Sequence, residues 1–432
     1  MDMDTGTITA FMAIGSIIFL GFFGNVIFTR YRIPDVLILI ILGMVIGPDI
    51  FGERFNLVSH DALAAIDNFK ELFLSAALVI ILFDGGLSLD IKSVVESMRL
   101  SAFMSIVAFF LTFVTIALAL HFLMNIDILL SLTMGAIVGG TSGAIVIPIV
   151  SKMRIRPQTK AMLIMESITT DVLVIVISLS LIRVILTEDL NWVLITRDLA
   201  SKFLLGGVIG FVAGILWLFV LQKLQNQPLS YMITIAALFI VAGTVELSPI
   251  SSSGAVAALA FGLAVGNRQF IKRRLSNISL TLSSNVQIQQ FHSEITFFVR
   301  TFFFVYLGLL FRFSTFTEIH LIAGLLMISV IVLIRWIAAM LAWKLGNLNI
   351  EDAETVFASM PRGLAAAVLA TLPAVVLADS AIWDPALGVL ILNTTLIVIF
   401  GTTLLTTIFS VITEKGIDSR QRKELRKRLT KA

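Results

Sequence analysis

Long runs of apolar residues, each separated from the next by a short polar or charged stretch, repeat along the whole chain. A helix crosses the hydrocarbon core of a bilayer in about 20 apolar residues. Thirteen runs have a length in this range, so the pattern predicts an all-α polytopic membrane protein with about thirteen transmembrane helices. A β-barrel would need short strands of alternating polarity, whereas these runs are continuous. The predicted spans are 9–29, 34–50, 70–89, 100–124, 127–150, 158–186, 199–221, 229–247, 249–266, 291–312, 318–344, 354–378 and 383–412.

Composition supports the lipid bilayer as the surroundings of these runs. The 432 residues are 58% hydrophobic and 14% charged, whereas soluble domains are about 25% charged. The chain has no cysteine and four scattered histidines, which argues against a disulfide framework, a thiolate metal site and a histidine metal cluster. We therefore expect no cofactor, and no nucleic acid as a partner.

The basic residues are distributed unequally between the two ends of the spans. Most of the 31 lysines and arginines fall in alternate connecting segments and in the tail, which the positive-inside rule assigns to the cytoplasm. We therefore expect a multi-pass protein of the plasma membrane with its amino terminus outside. Residues 1–413 form the predicted transmembrane domain. Residues 414–432 form a short basic cytoplasmic tail, which either anchors on anionic lipid or holds a regulatory ligand.

Two spans carry helix-breaking residues near their middle. Span 5 contains "GGTSG" at 139–143, and span 12 contains Thr371 and Pro373. Small residues of this kind are also compatible with close helix packing alone. Spans 1–6 and 8–13 flank span 7, however, so the two breaks fall at corresponding places in two six-helix halves. Inverted repeats with broken crossing helices are typical of transporters that bind an ion at the midplane, and each break would free backbone carbonyls for a cation.

Two carboxylates lie inside the apolar run "MESITTDVLVIVISLSLI" of span 6. A charge at this depth costs several kcal/mol and indicates a function by default. Glu166 and Asp171 are five residues apart, which turns them about 140° from each other on a helix. Ser167 therefore shares the face of Asp171, and Thr170 shares the face of Glu166.

Glu166 needs a cationic partner in another span to remain ionised. Arg335 in span 11 is the first candidate and Arg300 in span 10 is its competitor. Asp171 is then the group that is free to exchange its ligand. The alternative is that both acids form packing ion pairs only, which would leave Asp171 without a partner because Arg362 begins span 12.

Three further charged or titratable positions have two interpretations each. Asp84 in "LFDGGL" ends span 3 near the inner face, where it is either a helix-end cap or part of an ion funnel. His292 and Glu294 lie at the beginning of span 10, where they either form a pH-responsive cluster or simply start the helix.

Several motifs together resemble one family of transporters. "LFDGGL", "GGTSG", "ESITTD", "EITFFVRTFFFVYLGLLF" and "MPRGLAAAVLA" follow one another along the chain, and the combination is similar to monovalent cation:proton antiporters of the NhaP/NHE type. The resemblance implies an inverted-repeat antiporter fold with a core bundle of about spans 4–6 and 11–13. It also implies a dimerisation bundle formed by the remaining spans, and hence a homodimer.

The resemblance also implies roles for individual residues. Asp171 would bind the monovalent cation or the proton, with Glu166, Ser167 and Thr141 beside it, and Arg335 would be the basic residue of span 11. Two positions depart from the family pattern. Thr170 stands where the family usually has Asn, and Ser142 stands where it usually has Asp, although both hydroxyls can offer oxygen ligands.

These features predict a secondary active Na⁺/H⁺ antiporter rather than an enzyme. Proton and cation would compete at Asp171 by alternating access, with electroneutral exchange as the expectation. A K⁺/H⁺ antiporter is the alternative in the same class. An ion channel or ion-sensing membrane component is the alternative of another class, although no repeated selectivity filter is visible.

Overall fold

The computed structural model describes most of the chain. The described residues are 15–16, 18–19, 21–23, 26, 35–47, 75–87, 89–187, 192–224, 230–247, 253–274, 285–309, 311, 313–346, 348–377 and 385–429. Within them the longer regular elements are α-helices, as the sequence pattern predicts. In chain order these helices are α1 (Asp35–Ile46), α2 (Ser75–Leu87), α3 (Ile91–Met124), α4 (Ile128–Ile137), α5 (Gly143–Lys152), α6 (Pro157–Thr187), α7 (Trp192–Lys223), α8 (Ser230–Glu246), α9 (Gly254–Gly266), α10 (Arg268–Arg274), α11 (Asn285–Leu309), α12 (Glu318–Gly346), α13 (Ile350–Ala358), α14 (Leu364–Val376) and α15 (Pro385–Leu429).

Six of the described helices are long and apolar enough to cross a membrane, and shorter apolar helices accompany them. Predicted spans 2 to 13 each coincide with one helix or with a broken pair of helices. The first predicted span, 9–29, lies largely outside the described residues. The all-helical membrane fold is therefore confirmed, and the count of thirteen spans stays a prediction.

The chain divides into two compact units. The first unit comprises residues Met1–Leu20, Leu42–Glu96 and Asp189–Leu310. Within it α9 packs against α7 and α8, and glycines bring α2 close to α9. A Cβ atom added at Gly262 would lie 3.1 Å from the backbone nitrogen of Leu87, so a larger residue there would separate these two helices.

The second unit comprises residues Gly21–Ile41, Ser97–Glu188 and Phe311–Ala432. Helices α4 and α5 pack on α6, while α14 packs on α6 and α15. Helix α15 also packs against α12 and α13. The unit therefore collects the second halves of both predicted repeats, and with them both broken helices.

The second break lies at a different place from the one predicted. Thr371 and Pro373 are inside helix α14, and the interruption is at residues 359–363, ahead of it. Pro361 explains this position, because a proline disfavours helical backbone in the residue before it. Pro373 lies in the last turn of α14 and does not interrupt the helix, which continues to Val376.

The predicted start of the tail is not marked by a helix end. Helix α15 runs without interruption from Pro385 to Leu429, through residue 413 and into the basic segment. The tail therefore begins as a continuation of the last membrane helix.

Candidate functional site

The two breaks of the second unit contact each other directly. The first break separates α4 from α5, and its last residue, Ser142, donates its backbone N–H to the carbonyl of Pro361 in the second break at 2.8 Å. A Cβ atom added at Gly363 would lie 2.9 Å from the Cβ of Ser142. The absence of a side chain at Gly363 thus permits this approach, and the two broken helices cross here.

Asp171 lies on α6 beside the first break. Its Oδ2 accepts a hydrogen bond from the backbone N–H of Gly143 at 3.3 Å, which is the first residue of α5. The amino-terminal end of a helix carries a partial positive charge and binds anions. The Asp171 side chain is partly exposed, and one oxygen of its carboxylate is bonded to the start of α5.

Ser167 and Thr170 occupy the turn of α6 that precedes Asp171, and both are buried. The Ser167 hydroxyl donates to the carbonyl of Ile164 at 2.9 Å. The Thr170 hydroxyl accepts the backbone N–H of Thr141 at 3.1 Å and lies 3.1 Å from the Ser167 carbonyl, to which it donates. Thr170 therefore ties α6 to the first break.

Glu166 and Arg335 form a buried ion pair. The carboxylate is 1% exposed and the arginine 4%, and the guanidinium contacts both carboxylate oxygens, with Nη2 3.2 Å from Oε2. The third donor, Nε, bonds to the carbonyl of Val356 near the end of α13 at 2.6 Å. Two-pronged geometry and a satisfied third donor are the conditions under which a buried ion pair offsets its loss of hydration.

A small cavity opens beside this pair, with room for about one water molecule. Asp171 is not among its lining residues, whereas Glu166 is. This matches the sequence argument that the two acids face different neighbours. The polar and charged side chains that line the cavity are Thr112, Thr141, Glu166, Thr170, Arg335 and Arg362.

The predicted accessory residues of spans 3 and 10 belong to the first unit. Asp84 lies in the last turn of α2, and it interacts electrostatically with Arg300 of α11. His292 is buried against the ring of Phe83, whereas Glu294 is exposed. Since α11 begins at Asn285, neither residue starts the helix, and the structure does not bring His292 and Glu294 together.

Arg362 is the residue whose place the sequence reasoning missed. It was expected at the start of a span, but it lies within the second break and is 3% exposed. Its guanidinium bonds to the carbonyls of Val138 and Met360. One carbonyl in each break therefore accepts a hydrogen bond from Arg362, and the expectation that the breaks offer carbonyls to a cation stays a prediction. A signal was present in "MPRG", which sets an arginine between a proline and a glycine.

The chain is similar to known antiporters in sequence. It is 26% identical over 333 residues to the K(+)/H(+) antiporter NhaP of Alkalimonas amylolytica, which covers 75% of this chain and 53% of that protein. It is 25% identical over 354 residues to the Probable Na(+)/H(+) antiporter 2 of Methanocaldococcus jannaschii, which covers 79% of each. The chain thus spans about half the length of the first relative and most of the second.

The fold also matches a solved structure. The sodium proton antiporter MjNhaP1 of Methanocaldococcus jannaschii superimposes with a TM-score of 0.72, covering 94% of this chain and 98% of the other at 20% identity. At this identity the likeness shows a shared fold. Residues 14–415 match the family described as "Sodium/hydrogen exchanger, transmembrane". The chain therefore belongs to the sodium/hydrogen exchanger family of multi-pass membrane proteins.

Proposed function

We propose that this protein is a secondary active antiporter that exchanges a monovalent cation, with Na⁺ as the first candidate, for a proton at Asp171. The observation that carries the proposal is the different placement of the two acids of α6. Glu166 is buried and saturated by Arg335, whereas Asp171 is partly exposed beside the crossing of two broken helices. Asp171 is thus the carboxylate that can change its ligand.

The chemistry of competition follows from this placement. Removal from water disfavours a charged carboxylate unless a proton or a cation neutralises it. Thr141 and Ser142 belong to the first break, beside which Asp171 lies, and Ser167 lies four residues before Asp171 on α6. Their hydroxyls offer the oxygen ligands that hard cations prefer. Alternating access in such folds is a movement of one bundle against another around a fixed site. We assign the core bundle to the second unit.

K⁺ is the second candidate cation. Ser142 provides a hydroxyl where the family usually has a carboxylate, which makes the site less negative and lessens its preference for the smaller ion. The name of the Alkalimonas relative supports K⁺, and that of the Methanocaldococcus relative supports Na⁺. A homodimer in the plasma membrane, with a cytoplasmic basic tail, completes the proposal.

Transport in liposomes tests the assignment. The purified protein would be reconstituted with an internal pH dye and pulsed with Na⁺, Li⁺, K⁺ or Rb⁺ at several pH values. We expect cation-driven proton movement that saturates with cation concentration. Asp171→Asn should abolish it, because an amide keeps the shape of the side chain but cannot cycle a proton.

Asp127→Asn is the matched control. Asp127 is exposed and caps α4 by accepting the N–H groups of Leu129 and Leu130, a task that asparagine performs equally well. This variant should transport like the wild type. Robust exchange by Asp171→Asn would contradict the assignment of Asp171. Cation flux without coupled proton movement would identify a channel instead.

A further inference from the structure

A groove of about 370 Å³ lies between α12 and α13 in the second unit. Its volume falls in the range of about 300–1,000 Å³ that is usual for small-molecule sites. Trp336 and Trp343 line it from α12, and Ala353 and Phe357 line it from α13. Among the described residues that line the groove, Glu354 alone carries a charge. The groove is therefore an apolar, aromatic site with one carboxylate.

Lipid is the apolar phase that reaches this groove. Helix α12 is long and apolar enough to cross a membrane. Trp336 and Trp343 are 51% and 46% exposed, and residues seven apart share a helix face. Tryptophan is enriched where acyl chains meet headgroups, and the exposed Lys344 in the last turn marks the same boundary, because a charge is costly deeper in the bilayer. An acyl chain thus fits the groove with its headgroup at the end of α12.

The charges at the groove select the headgroup. A carboxylate beside aromatic rings attracts a cation, and an ammonium over the face of a tryptophan gains cation–π energy as well. A primary ammonium also donates hydrogen bonds to a carboxylate, which a quaternary ammonium cannot do. Lys344 directly follows Trp343 and is exposed, so a positive charge is available nearby for a phosphate. The ethanolamine headgroup carries both complementary charges, whereas a glycerol headgroup lacks the ammonium.

We propose that this groove binds phosphatidylethanolamine, with an acyl chain against Trp336 and the ammonium at Glu354. The inference does not depend on the proposed exchange at Asp171. The two helices that form the groove are also joined inside the protein, where Nε of Arg335 donates to the carbonyl of Val356 at 2.6 Å. A lipid held between α12 and α13 therefore stabilises this contact, so it should raise the melting temperature.

Quenching of tryptophan fluorescence by brominated lipids measures the binding. The protein would keep Trp336 and Trp343 and have phenylalanine at the other three of its five tryptophans. Bilayers would contain brominated phosphatidylethanolamine, phosphatidylcholine or phosphatidylglycerol with identical chains. We expect phosphatidylethanolamine to bind several-fold more tightly than phosphatidylglycerol, with phosphatidylcholine between them. Glu354→Gln should bring the three affinities together, and Ala353→Phe, which fills the groove, should weaken quenching by all three.

Glu351→Gln is the matched control, because Glu351 lies on the same helix and does not line the groove. It should keep the preference of the parent protein. Added phosphatidylethanolamine should also raise the melting temperature of the wild type in detergent more than that of Glu354→Gln.

Three results would overturn the proposal. Equal quenching of the parent protein by the three lipids would show ordinary lipid contact without a site. Equal binding of phosphatidylcholine and phosphatidylethanolamine would contradict the hydrogen-bonded ammonium. Absence of quenching by any lipid would show that protein, such as a second copy of this chain, covers the groove. If Glu354→Gln fails to fold, Ala353→Phe decides, and unchanged quenching in that variant would overturn the site.

Discussion

Arg335 holds Glu166 with two donors while its third donor bonds to Val356, so one side chain connects α12, α6 and α13. Both charged groups are almost fully buried. A buried pair of this kind is weak evidence for stability as such, but removal of one partner leaves the other unpaired. The arrangement therefore predicts strong energetic coupling.

Glu166→Gln and Arg335→Gln should each lower the free energy of unfolding by about 3–5 kcal/mol. The double variant should recover part of this loss, because no uncompensated charge remains. Unfolding in detergent or SDS would measure the coupling. The exposed pair Lys92 and Glu96, at 3.8 Å, is the control and should couple by less than about 0.5 kcal/mol. A double variant that only equals the sum of the single losses would show that the pair is not coupled.

The Thr170 hydroxyl supports the first break at a position where the resemblance predicts an amide. Thr170→Val keeps the shape but leaves the buried N–H of Thr141 without its acceptor. We expect a loss of about 1–3 kcal/mol in the free energy of unfolding. Thr170→Ser keeps the hydroxyl and should lose less. Thr169→Val, one residue away on the same helix, is the control, and equal stability of the two valine variants would contradict the bridging role.

Gly140 is required because α6 passes close to it, and not because its backbone conformation is unusual. A Cβ atom added there would lie 2.6 Å from Cγ2 of Val174 and 2.9 Å from the carbonyl oxygen of Thr170. A backbone atom cannot move away without shifting its helix, so Gly140→Ala should separate the first break from α6. We expect the free energy of unfolding to fall by about 1–3 kcal/mol.

Gly243→Ala provides the matched comparison for this substitution. No atom lies within 4 Å of a Cβ added at Gly243 inside α8. The change should be neutral or stabilise the helix by up to about 1 kcal/mol. Equal melting temperatures for Gly140→Ala and Gly243→Ala would contradict the packing argument.

The sequence was most informative about features that lie within a single helix. Apolar length predicted the helices, and helical periodicity predicted that Glu166 and Asp171 face different neighbours. The depth of Arg335 within its span made it the first candidate to pair with Glu166, and the structure brings these two together. Such inferences need no knowledge of how the chain folds back on itself.

The sequence was least informative where distant segments meet. The contact of Arg362 with the carbonyl of Val138 joins residues 224 positions apart, and no local pattern encodes it. The wrong prediction of where the second break lies has a similar cause. Pro373 and Pro361 are equally strong local signals, but Pro373 lies inside α14 and Pro361 lies in the interruption between α13 and α14.

The number of carboxylates free to titrate determines the expected stoichiometry of exchange. Glu166 is saturated by Arg335, and Ser142 stands at the first break where the resemblance predicts a second acid. If only Asp171 changes occupancy, one proton exchanges for one monovalent cation and no net charge moves. The rate should then be independent of membrane potential.

The competing mechanism opens the Glu166–Arg335 pair during the cycle, so that Glu166 also carries a proton and each cation exchanges for two protons. We expect the electroneutral case, because a buried pair is costly to break without a replacement charge. A K⁺/valinomycin diffusion potential of either sign, imposed on liposomes during Na⁺/H⁺ exchange, distinguishes the two. Initial rates that change with the sign of the potential would show that a second group titrates, and Glu166→Gln should then abolish that dependence.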